Sequence, residues 1–304
     1  MPNLLTLFSS NLLPILTIAA LGFLLSKTQH LDPRPISRVT FYLFSPALVF
    51  ILLANSRLER DSILLIIGFA LTSNILAGLV GFGLAKLFKM DRKVTIAIVI
   101  TSFLTNAGNY GLSLNQFAFG DQALAYASIY FVTSSMMVYT LGVAIASMGQ
   151  ASFKDSLLNL LKYPTLYALI LGVVFQQTAW ELPIPLERSV TLLGNAAIPA
   201  MLLLLGMQLG QVNLGENKRG IAIATVTRMF IAPVIAITLS ILFKLEGPAL
   251  QAGVTESSMP TAVMTTILAT EFDAAPALVS AIVTVTTLVS PFTLTPLLAY
   301  LGGG

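Results

Sequence analysis

Ten apolar stretches, separated by short polar segments, follow one another along the chain. They lie at residues 4–26, 36–54, 62–85, 94–117, 121–148, 163–179, 187–210, 219–243, 248–270 and 275–300. A helix of about 20 apolar residues crosses a hydrocarbon core of about 30 Å, and each stretch is close to that length. The pattern therefore predicts an all-α membrane protein with ten transmembrane helices, which we call spans one to ten, in a lipid bilayer.

Composition narrows the class of protein further. Apolar residues make up 56% of the 304 residues and charged residues only 10%, against about 25% charged residues in a typical soluble domain. This excludes a soluble enzyme and a disordered chain, and a net charge of +3 spread along the chain predicts no nucleic-acid partner. The chain has no cysteine, and its single histidine, His30, lies in a predicted loop. We therefore expect no enzymatic activity and no resident cofactor.

Lysine and arginine are distributed unequally between the predicted loops. Even-numbered loops hold four of them: Arg57, Arg60, Arg188 and Lys244. Odd-numbered loops hold eleven: Lys27, Arg34, Arg38, Lys86, Lys89, Arg92, Lys93, Lys154, Lys162, Lys218 and Arg219. An excess of lysine and arginine marks the cytoplasmic side, so both termini are predicted outside and residues 149–162 in the cytoplasm. The bias extends over several loops, which disfavours a random distribution.

A weak internal repeat relates the two halves of the chain, with offsets of 152 to 155 residues. Residues 87–91 match 242–246, Ser45-Pro46-Ala47 matches Ile198-Pro199-Ala200, and Asp121 matches Asp273. The order of these matches and their common spacing favour a repeat over chance.

The repeat predicts two five-helix units, at residues 1–148 and 163–304, joined by a cytoplasmic linker at 149–162. Because five is an odd number, the second unit enters the membrane from the opposite side. Inverted repeats are typical of secondary transporters, whose binding site lies near the membrane midplane at broken helices.

Spans four and nine contain polar segments that do not suit a continuous helix facing lipid. Span four contains Thr105-Asn106-Ala107-Gly108-Asn109-Tyr110-Gly111-Leu112-Ser113, and span nine contains Thr255-Glu256-Ser257-Ser258-Met259-Pro260-Thr261. Freed backbone groups are costly in hydrocarbon unless they line a cavity or are buried in protein. With an offset of 152 residues Gly108 falls on Pro260, so both helices are predicted to break at equivalent places. The alternative is a pair of kinks that serve packing only.

The ends of broken helices indicate what they could bind. N-terminal ends carry partial positive charge and free N–H groups that suit an anion, whereas C-terminal ends and unwound carbonyls suit a small cation. Polar residues of other spans, Asn74, Asn195 and Gln208, are interpreted as interhelical hydrogen-bonding residues. The candidate substrate-binding residues are Asn106, Gly108, Asn109, Gly111, Ser258, Pro260 and Thr261.

Two charged residues lie deep within predicted spans, Arg228 in span eight and Glu256 in span nine. An ionisable residue inside the membrane is by default a functional hypothesis. One interpretation is an ion pair that only neutralises two buried charges. The other is a coupling site in which Glu256 holds a proton or a sodium ion, next to Ser257, while Arg228 sets the local positive potential.

These motifs resemble the auxin efflux carrier family, the bacterial relatives of the plant PIN transporters, over essentially the whole chain. The resemblance rests on Tyr42-Leu43-Phe44-Ser45-Pro46-Ala47-Leu48, Asn106-Ala107-Gly108-Asn109-Tyr110-Gly111-Leu112, Phe117-Ala118-Phe119-Gly120, Ile198-Pro199-Ala200, Gly206-Met207, Arg228 with Pro233, and Glu256 with Met259-Pro260. It implies the fold of bile acid–sodium symporters, with two inverted five-helix repeats and crossing broken helices four and nine. It further implies a scaffold of helices 1, 2, 6 and 7, and a transport domain of helices 3–5 and 8–10.

The resemblance also implies a function and roles for individual residues. Family members export or import organic anions such as auxin and dicarboxylates by an elevator-like movement, often as homodimers through the scaffold helices. For this chain we expect a bacterial-type cytoplasmic membrane. Asn106 falls on the crossover asparagine that lies beside the substrate carboxylate, and Glu256 falls near the acidic residue that serves sodium in the bile acid symporters. Thr105 stands where plant carriers have a crossover proline, so the first break is expected to rest on glycine.

The leading hypothesis is therefore a secondary transporter of a small organic anion, with Glu256 as the candidate ligand of a coupling sodium ion or proton. The alternative on the same fold is a sodium-coupled symporter of a bulkier, bile acid-like amphipathic anion. A membrane enzyme or sensor would need a metal or nucleophile constellation or a soluble signalling domain, and the sequence offers neither.

Overall fold

The structure is a computed structural model that describes residues 3–56, 58–147, 161–178, 180–209 and 217–303. Apart from its last two residues, the predicted linker 149–162 lies outside the described residues. The described helices, which we number α1 to α11, are Leu4–Thr28, Pro33–Ala54, Arg60–Leu87, Arg92–Phe103, Ala107–Ala146, Pro164–Thr178, Ile184–Leu209, Lys218–Leu242, Gly247–Ser257, Met264–Glu271 and Pro276–Tyr300.

Helices account for the regular structure of the described residues, in which the only strand-like element is one isolated backbone bridge. Seven of these helices, α1, α2, α3, α5, α7, α8 and α11, are long and apolar enough to cross a membrane. The prediction of an all-α integral membrane protein is thereby confirmed. The ten-helix inverted repeat stays a prediction, because α4, α6, α9 and α10 are shorter.

The boundary between predicted spans four and five falls inside α5, at Gly120. Its φ of 75° and ψ of −165° interrupt the helical backbone there. Only glycine adopts this region of φ and ψ without strain, because a Cβ would clash with the backbone. The long helix is therefore divided where the polar segment around Asp121 begins.

Prolines set the local shape of three long helices. Pro14, Pro46 and Pro233 each follow, by two residues, a wide π-helical turn, at Phe8–Leu12, Thr40–Phe44 and Thr227–Ile231 respectively. A proline ring lacks an N–H and clashes with the carbonyl four residues earlier, which lies inside the wide turn in each case. The wider turn accommodates that carbonyl, and in α8 it also contains the buried Arg228.

Close backbone contacts join α1, α2, α6 and α7, the four helices that the resemblance assigns to a scaffold. A Cβ added at Gly22 of α1 would overlap the carbonyl of Leu203, and one at Gly206 of α7 would overlap the carbonyl of Ala19. Small residues allow membrane helices to approach in this way. Large apolar side chains such as Phe292, 81% exposed, and Leu192, 74% exposed, cover the outer surface, which suits contact with lipid.

Two contacts between predicted loops each join loops of the same kind, odd-numbered with odd-numbered or even-numbered with even-numbered. Lys93, after span three, forms an ion pair with Asp273, after span nine. On the even-numbered side, Gln176 at the end of α6 donates to the carbonyl of Leu58, 2.7 Å away, in the loop after α2. Each of these two contacts joins loops that the predicted alternation of helix directions places at the same end of the molecule.

Candidate functional site

The interruptions of spans four and nine lie side by side. Residues 104–106 separate α4 from α5, and residues 258–263 separate α9 from α10. Thr105 and Thr261, one from each interruption, form an antiparallel backbone bridge. Both spans are therefore interrupted as the polar segments predict, and the two interruptions contact each other directly.

Two backbone hydrogen bonds flank this bridge. The N–H of Asn106 donates to the carbonyl of Pro260 at 2.8 Å, and the N–H of Ala262 donates to the carbonyl of Leu104 at 2.9 Å. Irregular backbone at membrane depth is tolerated only where its polar groups are satisfied by protein or water. Each interruption satisfies groups that the other leaves free.

The first interruption does not rest on glycine, and the expectation that places it at Gly108 is wrong by a few residues. Leu104 has φ −101° and ψ 116°, an extended conformation open to any residue, and the bridge replaces the lost helical hydrogen bonds. Gly108 lies just after the interruption, in the wide turn Ala107–Leu112. A Cβ there would stand 2.7 Å from the ring of Phe131, so this glycine serves close packing.

A cavity of about 150 Å³ adjoins the interruption of span four. Asn106, Gly108 and Asn109 line it at the start of α5, and Gln208 lines it from α7. The rest of its lining is mainly aromatic or hydroxyl-bearing, and includes Thr40, Phe41, Phe131, Ser134, Ser135, Tyr139 and Tyr163. The described residues that line this cavity include no charged side chain.

Amide groups supply the most polar part of the cavity. Asn106 is 4% exposed, and its Nδ2 has no hydrogen-bond partner among the described residues. Asn109 donates from Nδ2 to Oε1 of Gln208 over 3.5 Å. A buried donor without a partner costs about 1–3 kcal/mol, which makes Asn106 the lining residue with an unmet hydrogen-bonding requirement at its side-chain nitrogen.

A wider vestibule of about 1110 Å³ adjoins the cavity, and both are lined by Ser37, Gln208, Val263 and Ile267. Its charged lining residues are Lys27, Arg34, Arg38, Asp32 and Glu271, with His30 beside them. Basic side chains therefore outnumber acidic ones along the approach to the cavity. Lys27, Arg34 and Arg38 belong to the first predicted loop, which the lysine and arginine bias assigns to the cytoplasm.

The other predicted substrate residues, Gly111, Ser258, Pro260 and Thr261, do not line the cavity. The Ser258 hydroxyl donates to a backbone carbonyl of α9 at 2.7 Å, and the Thr261 hydroxyl donates to one of α4 at 2.8 Å. Both side chains are fully buried. Their hydroxyls hold the interrupted segments in place.

Glu256 lies in a separate buried cluster. Its side chain is 0% exposed, and its Oε1 accepts a hydrogen bond of 2.9 Å from Nδ2 of Asn115. Its Oε2 and the Oδ1 of Asn115 have no partner among the described residues. Gly111 lies against the carboxylate, since a Cβ there would stand 2.6 Å from the Glu256 Cδ. These two unpartnered oxygens, one of which belongs to the carboxylate, suit a proton or a hard cation.

Arg228 is also fully buried, yet it does not form an ion pair with Glu256. Its Nη1 donates to the carbonyl of Ser102 at 2.8 Å, and its Nη2 donates to the carbonyl of Ser257. The hypothesis of a simple neutralising pair is therefore wrong for this structure. The guanidinium contacts the ends of two helices, and the carboxylate contacts Asn115.

Residues 7–298 match the family described as "Membrane transport protein". The chain belongs to this family. The match confirms the resemblance to auxin efflux carriers, which the motifs of spans four and nine indicate. It also identifies the protein as a membrane transporter.

The similar proteins are also described as transporters. An "Uncharacterized transporter" of Methanothermobacter thermautotrophicus is 25% identical over 287 residues, which cover 93% of this chain and 94% of the relative. A second "Uncharacterized transporter", of Methanocaldococcus jannaschii, is 24% identical over 86% of both chains. A "Putative malonate transporter" of Rhizobium meliloti is 25% identical over 96% of this chain and 95% of its own.

Sequence reasoning about this transporter missed Asn115 and underrated Gln208. Asn115 lies four residues after Gly111, one helical turn along the same face of α5, so it reaches the same carboxylate. That spacing is a signal available in the sequence. Gln208 does hydrogen-bond between helices, as predicted, but it also lines both the cavity and the vestibule. No local pattern distinguishes it from Asn74, which hydrogen-bonds to Ser134 at 3.2 Å.

Proposed function

We propose that this membrane transporter is a secondary transporter that carries a small organic anion, a compact carboxylate. The observation that carries this proposal is Asn106, a lining residue of the cavity at the interruption of span four, whose buried Nδ2 has no hydrogen-bond partner among the described residues. A carboxylate oxygen would accept from this group. The N-terminus of α5, which begins at Ala107, adds free N–H groups and partial positive charge on the same side.

The volume of the cavity favours a small substrate. An apolar cavity of about 150 Å³ holds a molecule the size of benzene, which has six heavy atoms. Malonate, with seven heavy atoms, is of that size, and one relative carries malonate in its name. The absence of charged side chains from the described lining, together with the basic vestibule, suits an anion held by neutral donors.

An elevator-type movement between two inverted five-helix repeats would transport an anion held in this cavity. Phe41, Met201 and Gln208 contribute to the lining from the helices assigned to the scaffold, while Asn106 and Phe131 contribute from the helices assigned to the transport domain. The cavity therefore lies where the two sets of helices meet. The backbone contacts among α1, α2, α6 and α7 support a rigid scaffold, through which two copies of the chain would form a dimer.

In this proposal the structure represents a state open to the cytoplasm, in a bacterial-type cytoplasmic membrane with both termini outside. The vestibule contains Lys27, Arg34 and Arg38, which the lysine and arginine bias places on the cytoplasmic side. Glu256, with Asn115 beside it, is the proposed place of a coupling proton, and a sodium ion at this place belongs to the second candidate below.

The vestibule supports a second candidate, a sodium-coupled symporter of a bulkier amphipathic anion. Its volume of about 1110 Å³ is sufficient for such an anion, whereas the cavity at Asn106 is not. In this alternative the anion binds beside Arg34 and Arg38, outside the small cavity, and Asn106 contributes little.

Uptake into proteoliposomes tests the proposal. Labelled malonate and labelled taurocholate would be compared for the wild type, Asn106→Ala, and the control Asn195→Ala, whose asparagine is exposed and lies outside the cavity. Loss of a hydrogen bond to a charged group costs about 1.5–3 kcal/mol, so malonate uptake by Asn106→Ala is expected to fall roughly 10- to 150-fold. Taurocholate uptake unaffected by Asn106→Ala, without malonate uptake, would support the bulkier alternative.

A further inference from the structure

Arg228 contacts the first halves of both interrupted spans at the same end. Ser102, whose carbonyl accepts from Nη1, is the last residue but one of α4, and Ser257, whose carbonyl accepts from Nη2, is the last residue of α9. One guanidinium therefore joins the C-terminal ends of α4 and α9. The wide turn of α8 at Thr227–Ile231 holds the side chain between them, with none of it exposed.

Helix C-termini attract positive charge. The last four carbonyls of a helix have no partner within it, and together they carry about half of a negative elementary charge. In secondary transporters with discontinuous helices, such ends and the unwound carbonyls near them coordinate the coupling cation. Two C-terminal ends that meet at one point, away from water, therefore need a cation.

An arginine side chain meets this need without a mobile ion. Its planar guanidinium stays charged and presents donors in a fixed fork, which matches two carbonyls that approach from different helices. Glu256 forms no ion pair with this guanidinium, and its carboxylate instead accepts a hydrogen bond from Asn115 and lies against Gly111. The positive charge of Arg228 is thus directed at the two helix ends.

We propose that Arg228 is a tethered cation that takes the place of a mobile coupling ion at the C-terminal ends of α4 and α9. The inference rests on the proposed transport function only where uptake is measured. Its consequence is that the broken helices assemble without sodium. Removal of the guanidinium creates a site for a small cation that the wild type does not have.

The test is thermal unfolding of the purified protein in matched chloride salts of sodium, choline and guanidinium, at concentrations far below those that denature proteins. The wild type is expected to show the same melting temperature in all three, within about 1 °C. Arg228→Ala is expected to melt lower in choline and to gain about 3 °C or more in sodium or guanidinium, because ligand binding to the folded state raises its stability. Arg219→Ala, an exposed arginine at the start of the same helix, is the matched control and is expected to behave as the wild type.

Two results would overturn the proposal: a wild type stabilised by sodium, or an Arg228→Ala protein that folds but responds to none of the cations. If Arg228→Ala cannot be purified, Arg228→Lys and Arg228→Met decide instead. The lysine variant retains the charge and is expected to recover at least half of the melting temperature that the methionine variant loses. Equal losses in both variants would contradict the proposal.

Malonate uptake adds a separate measurement. Wild-type uptake is expected to be unchanged when sodium replaces choline. Uptake by Arg228→Ala is expected to fall about tenfold or more, because two charge-assisted hydrogen bonds are lost. It is expected to recover in part with guanidinium, which replaces those hydrogen bonds. Sodium-dependent uptake by the wild type would overturn the inference and leave the transport proposal intact. An absence of malonate uptake would count against the proposed substrate, while the melting data would still decide the role of Arg228.

Discussion

Replacement of Gly111 by alanine tests the buried cluster around Glu256. A Cβ at this position would stand 2.6 Å from Cδ and Oε1 of Glu256, and closer still to Oε2. Real Cβ atoms are essentially never this close to another heavy atom, so the carboxylate must move. Such a movement disturbs the hydrogen bond that Nδ2 of Asn115 donates to Oε1 at 2.9 Å.

The expected cost follows from two losses and one gain. Overpacking of a well-filled interior costs about 1–3 kcal/mol, and the loss of the Asn115 hydrogen bond costs about 1–3 kcal/mol more. Alanine recovers about 1 kcal/mol in helix propensity. The net effect of Gly111→Ala is a loss of roughly 1–5 kcal/mol in the free energy of unfolding, which lowers the melting temperature by about 2–20 °C.

Gly83→Ala provides the matched control. Gly83 lies in the interior of α3, and a Cβ there meets no atom within 4 Å. The same substitution is therefore expected to raise stability by up to about 1 kcal/mol. Thermal unfolding of both variants in detergent decides the question. A Gly111→Ala protein as stable as Gly83→Ala would refute the close contact between Gly111 and Glu256.

Three further predictions concern packing, an exposed ion pair and the vestibule. Gly206→Val forces α1 and α7 apart, because even a Cβ at this position overlaps a backbone carbonyl of α1. We expect the melting temperature to fall by several degrees, and an unchanged melting temperature would contradict the close contact between the two backbones. The Lys93–Asp273 pair is half or more exposed, with side-chain exposures of 54% and 79%, so a double-mutant cycle is expected to give a coupling below about 1 kcal/mol that shrinks in salt. Arg38→Glu reverses a charge of the vestibule and is expected to slow malonate uptake several-fold at low ionic strength, whereas Arg188→Glu, outside the vestibule, is not; equal effects would exclude steering by the vestibule.

Features that depend on local rules were predictable from the sequence. Apolar stretches predict where helices cross the membrane, because lipid excludes polar side chains whatever the fold. The second interruption was predictable because Pro260 removes a backbone donor and its own chemistry ends a helix there. The burial of Arg228 and Glu256 was also predictable, because a charged side chain far from the ends of an apolar stretch needs protein around it.

Features that depend on distant partners were not predictable in this way. The first interruption lies at Thr105, which has no helix-breaking chemistry, because its extended backbone is stabilised by a bridge to Thr261 in the other half of the chain. Arg228 bonds to backbone carbonyls of α4 and α9, and every residue has such a carbonyl, so no residue type marks them in the sequence. Proximity in sequence therefore favoured an ion pair with Glu256 that the structure does not form.

Malonate titration of the purified transporter, followed by calorimetry, decides whether a compact carboxylate binds at Asn106. In Asn106→Asp the side chain keeps nearly the same volume, but a carboxylate replaces the unpartnered amide donor and stands beside the carboxylate of the ligand. We expect saturable binding to the wild type and to Asn195→Ala, and binding to Asn106→Asp that is weaker by about 100-fold or more, the equivalent of about 3 kcal/mol. Equal affinity of the wild type and Asn106→Asp for malonate would show that the carboxylate does not bind at Asn106.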